Sequence, residues 1–308
     1  MSENAEIRNT LGEAAARNLA NSTKTHAQWS GITPRWLVSF LQWVPVESGI
    51  YRVNKVKEPP AAPTAVECSP RGDSDLPQTY VNYEENPLEL WLNAVTTVLH
   101  VQTRVSDLYS HPIDQIQEQL RLLIEKIKER QEGELINNVD YGLLTTVAHS
   151  QRIKTRQGPP TPDDLDELIS KVWKEPHFFL AHPRAIAAFG RECTRRGVPP
   201  PTVPLFGTQF LTWRGLPIVP TDKLHVDGKN KTNILLIRTG VKKQGVVGLF
   251  QPGLPGEVTP SLSVRFMGIS SKAIASYLIS LYCSAAVLTD DASAALEGVD
   301  VGTYHEYK

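Results

Sequence analysis

The most regular pattern of apolar positions in the chain lies in residues 111–138. Apolar side chains recur there at spacings of three and four residues, on one stripe of an α-helix: Ile113, Ile116, Leu120, Leu123, Ile124 and Ile127. Ser110 or His111 can cap the start of this helix, and Pro112 suits its first turn. At ~1.5 Å per residue such a helix spans about 36 Å, so we expect it to be the beam on which flanking elements pack.

Two further apolar stretches are predicted as helices. Residues 87–109 carry a stripe made of Leu90, Trp91, Ala94, Val98, Val101 and Val105. Residues 273–288 are uncharged and are interrupted by Ser276, Ser280 and Ser284. Because this stretch is shorter than the ~20 apolar residues that a membrane span needs, we interpret it as a helix buried in the core. A membrane-associated protein stays as an alternative that depends on this stretch alone.

The middle of the chain contains two shorter predicted helices. Residues 161–172 begin with Thr161 as the cap and Pro162 at the first position, followed by acidic residues at the positive end of the helix dipole. Residues 178–196 place Ile186, Phe189 and Cys193 on one stripe. Short strands are predicted after them, in the segments FLTW, LPIVP, NILLIRTG, GVVGLF and SLSVRFMG.

The N-terminal segment carries an unusual apolar load. Thr33 and Pro34 predict a helix start, and Trp29, Trp36 and Trp43 follow one another at seven-residue intervals. Such side chains pack either on the chain's own core or, as a terminal arm, against a neighbouring subunit. Both interpretations stay open on the pattern alone.

Residues 47–86 predict a long hairpin with a proline-rich tip. The strand-like segments GIYRVNKV and QTYVNYEE lie on either side of the dispersed prolines. A lone two-stranded ribbon is scarcely stable in water, so this excursion needs support from its own domain or from another chain.

Composition and charge narrow the class of protein. The chain has 308 residues, of which 41% are hydrophobic and 21% charged, as in ordinary globular proteins. Its 32 basic and 33 acidic residues leave a net charge of -1, which gives no electrostatic footprint for nucleic acid or for an anionic membrane. Cys68, Cys193 and Cys283 form no CxxC motif, and no secretory signal is evident, so we expect a cytosolic protein.

No group of residues predicts catalysis, a cofactor or a metal. Cys193 lies on an apolar stripe, where a core thiol is a better interpretation than a nucleophile activated by nearby arginines. The acidic residues at 163–167 lack the spacing of a calcium loop, and His177 and His182 are five residues apart, which does not suit a metal on one helix face. The glycines of residues 245–256 lack the context of a phosphate-binding loop. The chain is therefore predicted to be an α+β assembly protein and not an enzyme.

Four long stretches resemble the shell proteins of encapsulin nanocompartments. They are ITPRWLVSFLQWVPVESGIYRVNKVK, DQIQEQLRLLIEKIKERQEGELINN, FFLAHPRAIAAFGRECTRRGVPPP and GVVGLFQPGLPGE. The chain is similar to the second encapsulin family, in its subtype without a cyclic-nucleotide-binding insertion, because residues 197–308 run on with no inserted domain. The resemblance implies the Hong Kong 97-type phage capsid fold.

The resemblance also implies a division of the chain and a set of contact residues. Residues 1–48 would form the N-terminal arm, 49–85 the extended loop, 86–153 with 217–308 the peripheral domain containing the long spine helix, and 154–216 the axial domain. The residues expected between subunits, in the arm and the loop, are Trp29, Trp36, Trp43, Tyr51, Val53 and Tyr80. The turn expected to edge a pore at a five-fold axis contains Arg195, Arg196, Gly197, Pro199, Pro200 and Pro201.

The function implied by the resemblance is structural. About sixty identical subunits would form a closed icosahedral shell in the bacterial cytoplasm. This shell would enclose a cargo enzyme, in this subtype a cysteine desulfurase of sulfur metabolism. No nucleic acid and no membrane span are implied. A phage-type capsid protein that encloses DNA is the nearest alternative.

Overall fold

The helices are few and unequal in length. The computed structural model describes residues 30–54, 56–57, 77–78, 81–83, 85–102 and 115–304. The helices of these residues are α1 (Trp36–Phe40), α2 (Gln115–Asn137), α3 (Leu143–Thr146), α4 (Pro162–Lys171) and α5 (Pro183–Arg195). Single 3-10 turns lie at His149–Gln151 and Asp290–Ala292.

Strands make up most of the remaining structure, and they confirm the α+β class. In chain order they are β1 (Gln42–Pro45), β2 (Ile50–Val53), β3 (Val56–Lys57), β4 (Asn82–Tyr83), β5 (Leu88–Trp91), β6 (Asn93–Gln102), β7 (Arg152–Lys154), β8 (Phe178–Ala181), β9 (Thr202–Leu205), β10 (Thr208–Trp213), β11 (Leu216–Pro220), β12 (Lys231–Ile237), β13 (Val246–Phe250), β14 (Glu257–Thr259), β15 (Leu262–Ile269), β16 (Ile274–Val287) and β17 (Ser293–Asp300).

A seven-stranded sheet forms one of the two main layers, in the order β7-β17-β12-β8-β11-β10-β9. Helices α4 and α5 cover one face, where Leu165, Leu168 and Phe189 join a buried cluster with residues of β8, β12 and β17. The other face packs on α1 and the end of α2, through Leu37 and Leu135. All four side chains of β8 are buried because helices cover the sheet on both faces.

The second main sheet has the order β1-β13-β16-β15-β14, and β6 also pairs with β16. Helix α2 lies across it, with Ile127 in contact with a buried cluster that contains Leu262, Ile279 and Leu281. The predicted spine helix is therefore confirmed from Gln115 to Asn137, together with its packing. Its predicted start at residues 110–114 lies outside the described residues. Strand β1 joins the edge of this sheet in parallel to β13, and Trp43 lies opposite Gly248. A Cβ at Gly248 would come within 2.7 Å of the Trp43 ring, so this position requires glycine.

Two helix predictions were wrong. Within residues 87–109 the structure has strands β5 and β6, and residues 103–109 lie outside the described part. Residues 273–288 contain the fourteen-residue strand β16, the centre of the second sheet. Serines spaced four apart share one face in a helix and in a strand alike, so their spacing could not separate the two. The β-branched residues of β6 and the alternating burial of Val95, Thr97 and Leu99 favour the strand.

The N-terminal and C-terminal predictions also needed correction. Helix α1 covers only five residues, with Arg35 and not Thr33 at its N-cap, and the chain then turns into β1. The segment after β16, for which no helix or strand was predicted, contains β17, which lies inside the seven-stranded sheet. No helix among the described residues is long and apolar enough to cross a membrane.

The cap and strand predictions are confirmed where the structure describes them, and the hairpin prediction is confirmed in part. Strand β3 pairs with β4 as predicted, but β2 pairs with β5, which lies beyond the predicted second strand in residues predicted to be helical. Thr161 and Asp164 form a reciprocal capping box at the start of α4, with Pro162 in the first turn. Strands β10 to β13 and β15 lie on the segments predicted for them.

Candidate functional site: the arm, the extended ribbon and the axial turn

Glu129 of α2 binds the arm just before helix α1. Its Oε1 accepts the backbone N–H of Thr33 at 2.8 Å, and its Oε2 accepts the Thr33 hydroxyl at 2.9 Å. Lys223, in the loop after β11, places its Nζ 3.0 Å from the same Oε2. Because Glu129 is almost fully buried, these donors supply the compensation that a buried carboxylate needs.

Glu132 binds the arm one turn further along α2. Its Oε1 accepts the backbone N–H of Leu37 at 3.0 Å. Leu37 lies in the first turn of α1, whose own N-cap residue, Arg35, makes no side-chain cap. The carboxylate of α2 therefore takes the place of the missing cap. Burial raises the pKa of Glu132 to about 7.

Glu125 completes an acidic stripe that sequence reasoning missed. Arg35 Nη1 donates to Glu125 Oε2 at 2.7 Å. Burial opposes the charge on Glu125, but the hydrogen bond and charge of Arg35 outweigh it and lower the pKa of this carboxyl. Residues 125, 129 and 132 share one face of α2, and this spacing is the signal that could have drawn attention to them.

The predicted arm tryptophans contact the subunit's own core. The ring of Trp36 lies 5.2 Å from that of Phe210 and 5.9 Å from that of Phe206, between centroids. Trp43 donates its indole N–H to the carbonyl oxygen of Val38 at 2.9 Å. These contacts fix α1 and β1 on both sheets, and they leave each tryptophan half-buried.

The predicted loop residues lie on the ribbon of β2 and β5. Tyr51 and Val53 are half-buried and pack against a cluster that contains Val46 and Leu249. A cavity of about 690 Å³ separates this ribbon from residues 288–291. Trp29 and Tyr80 lie outside the described residues.

The predicted pore turn follows α5. Arg195 pairs with Glu192 at 2.7 Å, and Arg196 pairs with Asp163 of α4 at 2.9 Å. Gly197 has a φ of 71°, which ends the helix in the left-handed region, and Pro199 and Pro201 are exposed. Pro200 is half-buried. The structure thus places these residues on one surface turn between α5 and β9.

The cysteines, histidines and acidic residues have structural partners. Burial raises the pKa of Cys193 to about 11 and that of Cys283 to about 12, so both are thiols at neutral pH. His182 caps α5, and His177 accepts the backbone N–H of Thr239. Asp164 belongs to the α4 capping box. Within the described ranges, no group of three His, Cys, Asp or Glu side chains could hold a metal.

Solved capsids share this fold. The chain matches the capsid of a native GTA particle with a TM-score of 0.62 at 14% identity, over 90% of this chain and 94% of that one. It matches the protein of Microbacterium phage Oxtober96 with a TM-score of 0.60 at 11% identity, over 93% and 98% of the two chains. The chain therefore has the Hong Kong 97-type capsid fold.

Closer relatives identify the family. Residues 52–303 match the family described as "Type 2A encapsulin shell protein SrpI-like". The type 2A encapsulin shell protein SrpI of Synechococcus elongatus is 64% identical over 97% of this chain and 96% of its own length. A type 2A encapsulin shell protein of Mycolicibacterium paratuberculosis is 60% identical over 97% of both chains. The chain belongs to this encapsulin shell protein family, so its role is structural and not enzymatic.

A solved shell complex confirms the resemblance at the level of structure. The holo-SrpI encapsulin complex from Synechococcus elongatus superposes with a TM-score of 0.84 at 61% identity, over 97% of this chain and 99% of that chain. The family and fold predicted from the sequence are thus confirmed.

Proposed function

We propose that this chain assembles about sixty copies into a closed icosahedral shell that encloses a cysteine desulfurase in the bacterial cytoplasm, as part of sulfur metabolism. The proposal of assembly rests on a set of exposed apolar side chains on a subunit whose cores are well filled. Trp91 is 62% exposed and Ile269 68% exposed, and Phe266 and Met267 lie beside Ile269 on β15. Surfaces of this kind mark protein interfaces.

The cargo assignment rests on family likeness, since the similar complex from Synechococcus elongatus is described as a holo form. Its test is co-expression of the chain with a cysteine desulfurase, followed by size exclusion and negative-stain electron microscopy. Pyridoxal phosphate absorbance that co-elutes with hollow particles supports the proposal. The family resemblance implies that the desulfurase is held by a disordered N-terminal extension of its own. A desulfurase without this extension is the matched control, and we expect it to elute separately.

Particle mass tests the copy number. About sixty chains of 34.2 kDa each make an empty shell of roughly 2 MDa. A native mass far from this value would contradict the proposed copy number. An absorbance ratio typical of nucleic acid in the purified particle would instead favour a capsid that encloses DNA.

The contact residues form part of the same proposal. We place Trp29, Trp36, Trp43, Tyr51, Val53 and Tyr80 at contacts between subunits. The turn from Arg195 to Pro201 would edge a pore, and residues 154–216 would face the symmetry axis. The exposure of Arg195 and Pro201 supports the pore assignment. An assembled structure with this turn far from any symmetry axis would contradict it.

A further inference from the structure

The attachment of the arm to the spine helix depends on a carboxylate with no cation of its own. Glu132 is 1% exposed. Its hydrogen bond within the described residues joins it to the neutral backbone N–H of Leu37. Among the described residues no ion pair reaches Glu132, whereas Glu129 binds Lys223 at 3.0 Å and Glu125 binds Arg35 at 2.7 Å.

The charges that act on Glu132 come from two elements. Glu129 lies on the same helix, and Asp222 and Lys223 belong to the loop after β11. Arg35 of the arm pairs with Glu125 and Glu129 instead. Lys223 is already engaged by Asp222 at 2.5 Å and by Glu129. A negative charge on Glu132 therefore faces two neighbouring carboxylates, and both of them already bind Lys223, the nearby cation.

We propose that Glu132 is a proton-operated latch for the N-terminal arm. With its proton, the side chain still accepts the Leu37 N–H through the carbonyl oxygen and holds α1 against α2. Without the proton, a buried charge opposes the docked arm, and α1 separates from α2 more readily.

The direction of the pH dependence follows from linkage. The docked arm holds the pKa of Glu132 at about 7, above the value of 4.5 that the group has when exposed to water. The docked state thus binds the proton more tightly, and docking is strongest at low pH and weakens as pH rises through 7. With these two values, docking weakens about tenfold between pH 6 and pH 8.

Hydrogen exchange of a peptide that covers residues 36–41 measures the opening of α1 directly. The purified protein and its Glu132→Gln variant have the same sequence in this peptide, so their intrinsic exchange rates cancel at every pH. Glutamine keeps the acceptor for Leu37 and never ionises. We expect the ratio of opening constants, wild type over variant, to grow about tenfold from pH 6 to pH 8.

Glu134→Gln is the matched control. Within the described residues Glu134 binds Arg130 of α2 and Asn138 just after it. Because neither partner belongs to the arm, we expect the peptide of residues 36–41 in this variant to exchange as in the wild type at each pH. A wild-type to Glu132→Gln ratio that stays constant across this range would overturn the latch.

A second measurement on the wild type covers the case in which Glu132→Gln does not fold. After correction for intrinsic rates, the arm peptide should open about tenfold more at pH 8 than at pH 6, while the α5 peptide stays constant. Equal pH dependence in the two peptides would reject the proposal. Neither measurement depends on the cargo or on the number of subunits.

Discussion

Loss of Asp291 should destabilise the subunit more than any exposed ion pair, because it leaves a fully buried cation alone. Arg238 is 0% exposed. Its Nη2 donates to Asp291 Oδ1 at 2.8 Å and its Nη1 donates to Oδ2 at 3.3 Å. In Asp291→Ala only the Thr289 hydroxyl, at 2.9 Å, and the Gln244 carbonyl, at 3.4 Å, remain as acceptors.

The size of the effect follows from the burial of the guanidinium. Removal of one partner of a buried ion pair costs about 3–5 kcal/mol, since the remaining charge cannot regain water. At about 2 °C per kcal/mol for a chain of this size, the apparent melting temperature should fall by roughly 6–10 °C. Unfolding in urea, followed by tryptophan fluorescence at fixed protein concentration, measures the change without a contribution from altered assembly.

Two further variants separate the buried charge from other causes. Glu175→Gln breaks the exposed Lys243–Glu175 pair, whose atoms are 2.6 Å apart, and should destabilise the subunit far less than Asp291→Ala, because water screens both partners. The double variant Arg238→Met with Asp291→Leu removes both charges together and should regain most of the stability lost in Asp291→Ala. A double variant as unstable as the single one would refute the argument from the buried charge.

The pH dependence of this difference has a defined sign. Burial opposes the charge on Asp291, but hydrogen bonds from Arg238, Thr289 and Lys174 outweigh it and lower the pKa of the carboxyl below its usual 3.8. A group with a depressed pKa contributes stability above its unfolded value and loses it as pH falls. The difference in unfolding free energy between wild type and Asp291→Ala should have its full size at neutral pH and shrink only below about pH 4.

Three other measurements test separate parts of the structure. Thr161→Ala removes the side-chain cap of α4 and should cost about 1 kcal/mol in urea unfolding, whereas Thr161→Ser should keep most of it. Cys193 is buried and has a pKa of about 11, so it should stay unmodified by iodoacetamide under native conditions at pH 8, as read by mass spectrometry, and react once unfolded. Phe206→Ala removes a ring whose centroid lies 5.9 Å from that of Trp36 and 5.3 Å from that of Phe40. This variant should cost about 0.5–1.5 kcal/mol or more. Trp173→Ala, at a similarly exposed position, should stay within about 0.5 kcal/mol of wild type.

Elements with local determinants could be predicted from the sequence. Helix α2 repeats its apolar stripe from Ile116 to Ile127, over about three turns, and no strand accommodates that period. Helix α4 carries its own start signal in Thr161, Pro162 and Asp164. These elements need no distant partner for their identity, although they need one for their stability.

Elements defined by distant partners could not be predicted from the sequence. Strand β16 has β6, β13 and β15 as neighbours, and its run of small and apolar residues fits a buried helix equally well. Strand β17 contains Ala294, Ala295, Glu297 and Gly298, which are weak strand formers, and it is a strand because β7 and β12 flank it.

The arm contacts show the same limit at the level of single residues. The apolar load of Trp36 and Trp43 was visible in the sequence. Glu129 and Glu132 were not, because their partners Thr33 and Leu37 lie about a hundred positions earlier. A charged residue on a long helix is usually solvated, and only the folded arm identifies these two as buried.

The position of β17 sets the timing of subunit maturation during synthesis. The ribosome makes residues 293–300 after all the other strands of the seven-stranded sheet, yet they lie between β7 and β12 inside it. The arm strand β1 likewise waits for β13, about two hundred residues later. A growing chain therefore lacks a complete sheet until residue 300 has been made, and pairings of such long range form slowly. A chain truncated before β17 leaves the sheet without this interior strand, so we expect such products to be excluded from assembly.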